Sequence, residues 1–190
     1  MSVNGFKNTL GIEPAKDAYD LSVAKGINTQ QAFLNAESSA AIMREHGEFD
    51  LFISRQNLEH MKDLKGVAKS IKDLVKIGGY VLIEVPNFLC NLQCQDYSLW
   101  EEHVNYFTTD VLRFFLAFAE VEIVHEEIIR FSGEGIFVIG RRVGSVCRRL
   151  DYVPELKNQN TKYAADWPVF RDAICKFLLS QKQAGKKIAV

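Results

Sequence analysis

The sequence predicts an α/β fold with a parallel sheet, and residues 49–87 carry most of that prediction. Residues 49–54 form a short apolar run that suits a strand buried on both faces of a sheet. Residues 62–76 place apolar side chains at helical spacing. Residues 80–85 form a second apolar run, which ends at a proline. Together these segments predict one strand–helix–strand unit.

The ends of this unit predict where a ligand binds. Gly78-Gly79 is expected to end the helix, because glycine adopts left-handed backbone angles without strain. In open parallel sheets, ligands bind at the carboxyl ends of the strands. These ends lie at residues 54–57 and at residues 86–87.

The upstream segment repeats the alternation of strand and helix. Residues 9–12 predict a short strand and residues 15–25 a helix, with a third strand within residues 27–33. Glu13 ends the first of these strands. In nucleotide-binding α/β folds, an acidic residue at such a strand end accepts hydrogen bonds from ribose hydroxyls. A further helix is expected over residues 36–46.

Downstream, the pattern predicts a helix, a strand pair and a long helical segment. The helix covers residues 110–119, and the strands lie within residues 121–131 and 136–141. Residues 155–184 read as helical, with a break near Trp167-Pro168 because proline disfavours a helical conformation in the residue before it.

Bulk composition excludes several classes of function. The chain has 190 residues and a net charge of −1, which gives no general attraction to nucleic acid or to anionic membranes. No apolar run is long enough to span a bilayer, and no signal peptide is recognised, so a cytoplasmic protein is expected. The four cysteines have no further ligands at zinc-binding spacing, so reduced thiols and no metal site are expected.

Three strings resemble class I S-adenosylmethionine-dependent methyltransferases: GIEP at residues 11–14, NLEH at residues 57–60 and GGYVLIEVPN at residues 78–87. The resemblance implies S-adenosylmethionine as cofactor and a Rossmann-like sheet over residues 1–145, incomplete at its N-terminus. Residues 146–190 are then a helical extension that leads into the start of a second α/β domain.

The resemblance also implies cofactor-binding residues. Glu13 is expected to accept hydrogen bonds from both ribose hydroxyls. Asn35 and Ala36 stand where the family has an Asp-Ala pair at the adenine, although Asn35 equally suits a cap for the helix that follows. The remaining cofactor candidates are Ser54, Gln56 and Asn57.

Residues 100–107, WEEHVNYF, are the densest polar and aromatic cluster of the chain. They resemble the Tyr-His-Glu-His…Tyr-Phe motif of sugar C-methyltransferases, which methylate keto-deoxysugar nucleotides. Trp stands in place of the family's Tyr, and Glu in place of its first His. The matching positions are Glu102, His103, Tyr106 and Phe107. The residues that we expect to contact the acceptor are Trp100, Glu101, Tyr106 and Asn87.

Methylation of carbon requires a base that removes a proton beside a carbonyl group, which leaves an enolate. Histidine suits this step because its pKa lies near neutrality and a neighbouring carboxylate can tune it. We therefore expect His103 to be the base and Glu102 its orienting partner. His60 is expected to donate a hydrogen bond to the acceptor or to its developing oxyanion.

The family's central first strand and its glycine-rich loop do not precede Glu13. The sheet is therefore expected to have an unfilled slot between two apolar strand edges. A strand from a complementing chain or from another copy of this chain would fill the slot. A second interpretation is a non-catalytic remnant or binding module with the same fold. An NAD-dependent oxidoreductase is disfavoured because the dinucleotide glycine fingerprint is absent.

Overall fold

The computed structural model describes residues 8–131, 133–146 and 154–187. The strands are β1 (Gly11–Ile12), β2 (Thr29–Gln30), β3 (Phe49–Arg55), β4 (Val75–Pro86), β5 (Val121–Arg130) and β6 (Glu134–Arg142). The helices are α1 (Lys16–Ala24), α2 (Ala36–His46), α3 (Leu64–Leu74), α4 (Phe88–Cys94), α5 (Thr109–Phe118) and α6 (Pro154–Gln183). A 3-10 turn covers Leu58–His60.

The strands form two separate sheets in the described part of the chain. β1 and β2 pair in parallel as a two-stranded sheet. The second sheet has the order β3-β4-β6-β5, in which β3 and β4 are parallel and the other pairings are antiparallel. The predicted strand–helix–strand unit and the antiparallel pair that follows it are therefore confirmed.

The first strand of that unit is less buried than its apolar sequence predicts. β3 has a strand neighbour on one side only, because β1 and β2 do not join its sheet among the described residues. Leu51 and Ile53, which share one face of β3, are 47% and 43% exposed. The prediction that both faces of this strand are buried is wrong, because an apolar pattern does not show which neighbours a strand will have.

The end of α3 also differs from the prediction. The helix stops at Leu74, and Val75 already belongs to β4, so Gly78 and Gly79 lie inside a strand. Gly78 has φ +86°, a left-handed conformation that glycine tolerates better than other residues. The pairing of β3 with β4 is irregular between Phe49 and Leu51, opposite this segment.

The core lies between the four-stranded sheet and two helices. α3 turns one apolar face to the sheet, and α5 packs beside it on the same cluster. Burying that apolar surface supplies most of the driving force for folding. The largest buried apolar side chains from these helices and strands include Ile71, Leu112, Leu116, Ile83 and Ile136.

α6 continues through Pro168, so the predicted break at Trp167-Pro168 is wrong. Proline removes one helical hydrogen bond, but it does not end a helix whose two halves are held elsewhere. Tyr97 makes ring contacts with Tyr163 before the proline, at 4.5 Å between centroids, and with Phe170 after it, at 5.0 Å. These contacts hold both halves of α6 against the same loop.

Glu120, which lies between α5 and β5, connects α3 with β6. Its Oε1 lies 2.9 Å from Nζ of Lys72 on α3, and its Oε2 lies 2.9 Å from Nη1 of Arg142 on β6. The hydrogen bond from Lys72 is the largest effect that lowers the pKa of Glu120, and the charges of both partners add to it. The carboxylate is therefore favoured in the folded state.

Truncation of a core side chain tests this packing. Leu116→Ala removes a side chain that is 1% exposed, and we expect a loss of about 2–5 kcal/mol in the free energy of unfolding. Leu179→Ala is the matched control, because Leu179 on α6 is 57% exposed, and its loss should stay within about 0.5 kcal/mol. Urea denaturation measures both, and equal losses would contradict the described core.

The Glu120 contacts predict a pH dependence of stability. A carboxyl whose pKa is lowered by folding stabilises the folded state above its unfolded pKa of about 4.3, and this contribution is lost as the pH falls. Glu120→Gln should therefore be less stable than the wild type at pH 7, and the difference should fade below about pH 4. Glu122→Gln, at an exposed neighbour on β5, is the control. A difference independent of pH would contradict the assignment.

Candidate cofactor and acceptor site

The carboxyl ends of β3 and β4 are fastened together by one buried carboxylate. Glu84 is 1% exposed, and its Oε2 accepts a hydrogen bond from Nε of Arg55 at 2.7 Å. Its Oε1 accepts one from Nε2 of Gln56 at 3.1 Å. The bond from Arg55 is the main reason that the pKa of Glu84 is lowered. Beyond this contact, Gln56 turns with φ 48° and the chain enters the 3-10 turn.

The 3-10 turn holds the loop that carries the predicted acceptor motif. The backbone carbonyl of Glu59 accepts hydrogen bonds from the amides of Val104 at 2.9 Å and Asn105 at 3.0 Å. Nδ2 of Asn105 donates to the carbonyl of Met61 at 2.6 Å. Two segments separated by about forty residues in the chain are thus joined by backbone contacts, which the sequence pattern did not indicate.

These contacts bring two of the predicted site histidines together. The rings of His60 and His103 lie 4.8 Å apart between centroids, in an edge-to-face arrangement. Nδ1 of His60 lies 3.1 Å from the backbone carbonyl of Glu102, and because a carbonyl only accepts, Nδ1 carries the hydrogen. Burial and then the neighbouring His60 lower the pKa of His103, while the Glu102 charge opposes them. His103 is therefore favoured in the neutral form that a base requires.

A further acid lies beside the histidines and was not predicted as a site residue. Glu59 is 1% exposed, and its Oε1 lies 3.9 Å from Nε2 of His60. Its Oε2 is buried without a hydrogen-bond partner. Burial is the main reason that the pKa of Glu59 is raised. Within the NLEH string, only Asn57 and His60 were predicted as site residues.

The other predicted acceptor residues surround the histidines on the open side. Trp100 stacks on His103 with centroids 6.2 Å apart, and Tyr106 lies 6.2 Å from His103 on another side. Trp100 is 65% exposed, so its face is open to a ligand. The side chains of Glu101 and Glu102 are also exposed. The contact of Glu102 with His60 comes from its backbone carbonyl, so the predicted orienting role of its carboxylate stays a prediction.

Asn87 lies at the end of β4 with its side chain engaged inside the protein. Its Nδ2 donates to Oε2 of Glu134 at 3.0 Å, and its Oδ1 accepts from the amide of Leu89 at the start of α4. Its backbone pairs with Phe107 across an isolated bridge. These contacts position residues 100–107, which we call the acceptor loop. A direct contact of Asn87 with the acceptor stays a prediction.

Glu59, His60 and His103 are the residues of the described chain that come nearest to a metal site. Each offers one ligand atom, and these atoms spread over up to 4.8 Å. Two ligands bound to one zinc ion at about 2.1 Å lie at most about 4.2 Å apart. The three side chains would have to approach one another to share an ion, so their present spacing suits acid–base contacts better.

Three predicted cofactor residues, Glu13, Asn35 and Ala36, lie upstream of β3. Oε1 of Glu13 accepts from the amide of Ala15 at 2.8 Å, which leaves its second carboxylate oxygen for a ribose hydroxyl. Asn35 caps α2, which begins at Ala36 as predicted, because its Oδ1 accepts from the amides of Glu37 and Ser38. The structure therefore favours the capping interpretation of Asn35, and adenine contacts from Asn35 and Ala36 stay a prediction.

Two buried polar atoms without partners lie at the ends of parallel strands. Oγ of Ser54 on β3 and Oε1 of Gln30 on β2 are both buried and lack hydrogen-bond partners. A buried polar group without a partner is costly unless a ligand or water satisfies it. Like the carboxylate of Glu13, each of these atoms can form a hydrogen bond with a hydroxyl or amine group. Gln30 was not predicted as a site residue. Of the predicted ones, Gln56 is engaged with Glu84 and Asn57 is exposed.

These features define an α/β protein with an acceptor loop and polar strand ends at the carboxyl edge of its sheet. A family model described as a methyltransferase domain matches residues 1–126, more than half of the chain. The chain belongs to this methyltransferase family. S-adenosylmethionine is the cofactor of the class I members that share its fold.

Individual relatives are more distant. C-methyltransferase NovU from Streptomyces niveus is 27% identical over 100 residues, which are 52% of this chain and 24% of that protein. The chain therefore spans about a quarter of the length of this relative.

Solved structures confirm the fold. A SAM-dependent methyltransferase from Anabaena variabilis matches with a TM-score of 0.55 and 15% identity, over 74% of this chain and 71% of its own. One from Methanosarcina mazei matches with a TM-score of 0.52 and 15% identity, over 70% and 81%. At this identity the likeness shows the Rossmann-like fold alone. No helix in the described ranges is long and apolar enough to cross a membrane.

Proposed function

We propose that this chain takes part in methyl transfer from S-adenosylmethionine to a carbon atom of a small molecule. The observation that carries the proposal is the His60–His103 pair, held on a methyltransferase scaffold beside the ends of β3 and β4. The NovU relative is described as a C-methyltransferase, which supports carbon as the acceptor atom. The WEEHVNYF loop supports a keto-sugar nucleotide as the acceptor.

Each residue of the candidate site has its own part in the proposed methyl transfer. Bound S-adenosylmethionine supplies the electrophilic methyl group. His103 takes the proton from the carbon beside the acceptor's carbonyl, and its lowered pKa keeps it neutral until then. Because Nδ1 of His60 already donates to the carbonyl of Glu102, His60 can stabilise the negative charge that develops on the carbonyl oxygen only when Nε2 also carries a proton. Trp100 and Tyr106 form aromatic walls that orient the acceptor and exclude water.

On the cofactor side, Glu13 would accept from the ribose hydroxyls, and Ser54 and Gln30 offer polar atoms that lack partners. Asn57 is exposed where the chain leaves β3, and Gln56 precedes it. We expect the reaction to take place in the cytoplasm, where Cys90, Cys94 and Cys175 stay as the free thiols that the structure describes.

A second candidate is a binding module that keeps this fold without catalysis. The division of the sheet favours it, because β1 and β3 have no strand between them in the described chain.

We propose that a strand from a second polypeptide pairs with the free edge of β3. The exposed Leu51 and Ile53 would then be covered on that edge. The predicted start of a second α/β domain, at residues 185–190, lies partly outside the described residues.

Calorimetry with S-adenosylmethionine separates the two candidates. Binding in about the micromolar range that is lost in Glu13→Ala supports the enzyme, because the ribose contact contributes only if the cofactor occupies the predicted site. Glu37→Ala, at an exposed glutamate on α2, is the matched control and should leave binding unchanged. A folded chain that binds nothing at about millimolar ligand supports the module, or a need for the complementing strand.

The base is tested by transfer of an isotope-labelled methyl group to a set of keto-sugar nucleotides. His103→Ala should reduce kcat by about 10²- to 10⁴-fold, since it removes the proton acceptor. His125→Ala is the control, because His125 lies on the edge strand β5 and contacts Glu127 instead. Equal rates for His103→Ala and the wild type would remove His103 from the mechanism.

A further inference from the structure

The buried carboxylate of Glu59 has no function in the predicted site, yet it lies beside His60. Its Oε1 is 3.9 Å from Nε2 of His60. Its Oε2 is buried and has no hydrogen-bond partner. A buried acid of this kind costs free energy, and the fold keeps it only where another group uses its charge or its proton.

The backbone of Glu59 has a separate role from its side chain. Its carbonyl receives the amides of Val104 and Asn105 and so fixes the acceptor loop. That contact would persist with any side chain at this position. The carboxylate itself is directed to His60, so the side chain can be changed without removing the loop contact.

The two nitrogens of His60 face different partners. Nδ1 donates to the carbonyl of Glu102, which leaves Nε2 of the neutral ring as the atom near Glu59. A carboxyl group 3.9 Å from Nε2 is too far for a hydrogen bond, so it acts on the ring through its charge and favours a proton on that nitrogen. The centroid of the same ring lies 4.8 Å from that of His103, and the two rings are nearly perpendicular. The side chain of Glu102, in contrast, is exposed.

We propose that Glu59, rather than Glu102, is the carboxylate that positions the His60–His103 pair. Glu59 is a positioning residue, since it acts on His60 and through that ring on His103. The inference rests on the proposed methyl transfer only for its effect on rate. The formation of an imidazolium at His103 during proton removal would also be stabilised by this nearby negative charge.

Other charged groups near the pair do not replace Glu59. Glu84, at the end of β4, is neutralised by its ion pair with Arg55 and acts on Glu59 mainly by repulsion. Glu102 raises the pKa of His103, but this is the smallest of the three effects on that ring. The burial of Glu59 raises its own pKa, which brings its proton affinity closer to that of an imidazole.

Histidine resonances test the proposal directly. The side-chain nitrogen resonances of His60 report its tautomer, and the chain offers His46 and His125 as internal references far from Glu59 in the sequence. We expect Glu59→Gln to move the His60 and His103 resonances and to leave both references in place. Glutamine keeps the shape and the backbone contacts, so a purely structural role would move none of them.

Glu102→Gln is the matched control at an exposed neighbour. It should leave the His60 tautomer unchanged, because Glu102 contacts His60 through its backbone carbonyl. The proposal is overturned if Glu59→Gln leaves the His60 resonances as in the wild type, or if Glu102→Gln moves them as far. Should Glu59→Gln fail to fold, Glu59→Asp decides, since a shortened carboxylate should move the resonances part of the way.

A rate measurement adds the functional consequence. Replacing an orienting carboxylate by an amide costs about 10⁴-fold in kcat in serine hydrolases, and we expect at least about a tenfold loss for Glu59→Gln with KM for S-adenosylmethionine unchanged. Glu59→Asp should recover part of the rate. Absence of transfer by the wild type would contradict the proposed function, whereas the histidine resonances decide the role of Glu59 in either case.

Discussion

The candidate site depends on the contact that fastens the ends of β3 and β4. Glu84 is buried at the end of β4, and it is tolerable there only because Arg55 and Gln56 both donate to its carboxylate. The amide of Gln56 also donates to the carbonyl of Glu84, so side chain and backbone fix the same point. The left-handed turn at Gln56 then directs the chain into the 3-10 turn that carries Glu59 and His60. If these hydrogen bonds to Glu84 are removed, we expect His60 to lose its fixed position.

Two kinds of contact hold the acceptor loop: hydrogen bonds on one side and aromatic contacts on the other. On the sheet side it is held by hydrogen bonds to the 3-10 turn, which are directional and set the position of His103. On the outer side it is held by aromatic contacts, among which Phe88 touches both Tyr106 and Tyr163 of α6. Aromatic packing is less directional than hydrogen bonding, so this wall can adapt to an acceptor while the histidines keep their place.

Local signals in the sequence predicted α2 correctly, although signals of the same kind failed at Gly78-Gly79 and at Pro168. The helix α2 begins at Ala36 and ends at His46 as predicted, because a capping asparagine and a terminal glycine define both ends. The exposure of Ile53 could not be predicted, since it depends on a strand pairing that the pattern of β3 does not contain. The meeting of His60 with His103 depends on long-range backbone contacts, so only the separate motifs were visible. The same reason explains why Glu59 was missed.

The division of the sheet separates the two halves of the proposed chemistry. The acceptor half, from β3 to β6, has a continuous sheet and one buried core, so its acid–base groups are positioned without help from the first sheet. The cofactor half consists of two short strands, and its polar ends at Glu13 and Gln30 must be aligned with Ser54 across the gap. A strand between β1 and β3 would impose that alignment through two sets of backbone hydrogen bonds. If the proposed roles hold, proton transfer and donor binding are therefore separable: the histidine pair can be formed whether or not the cofactor half is completed.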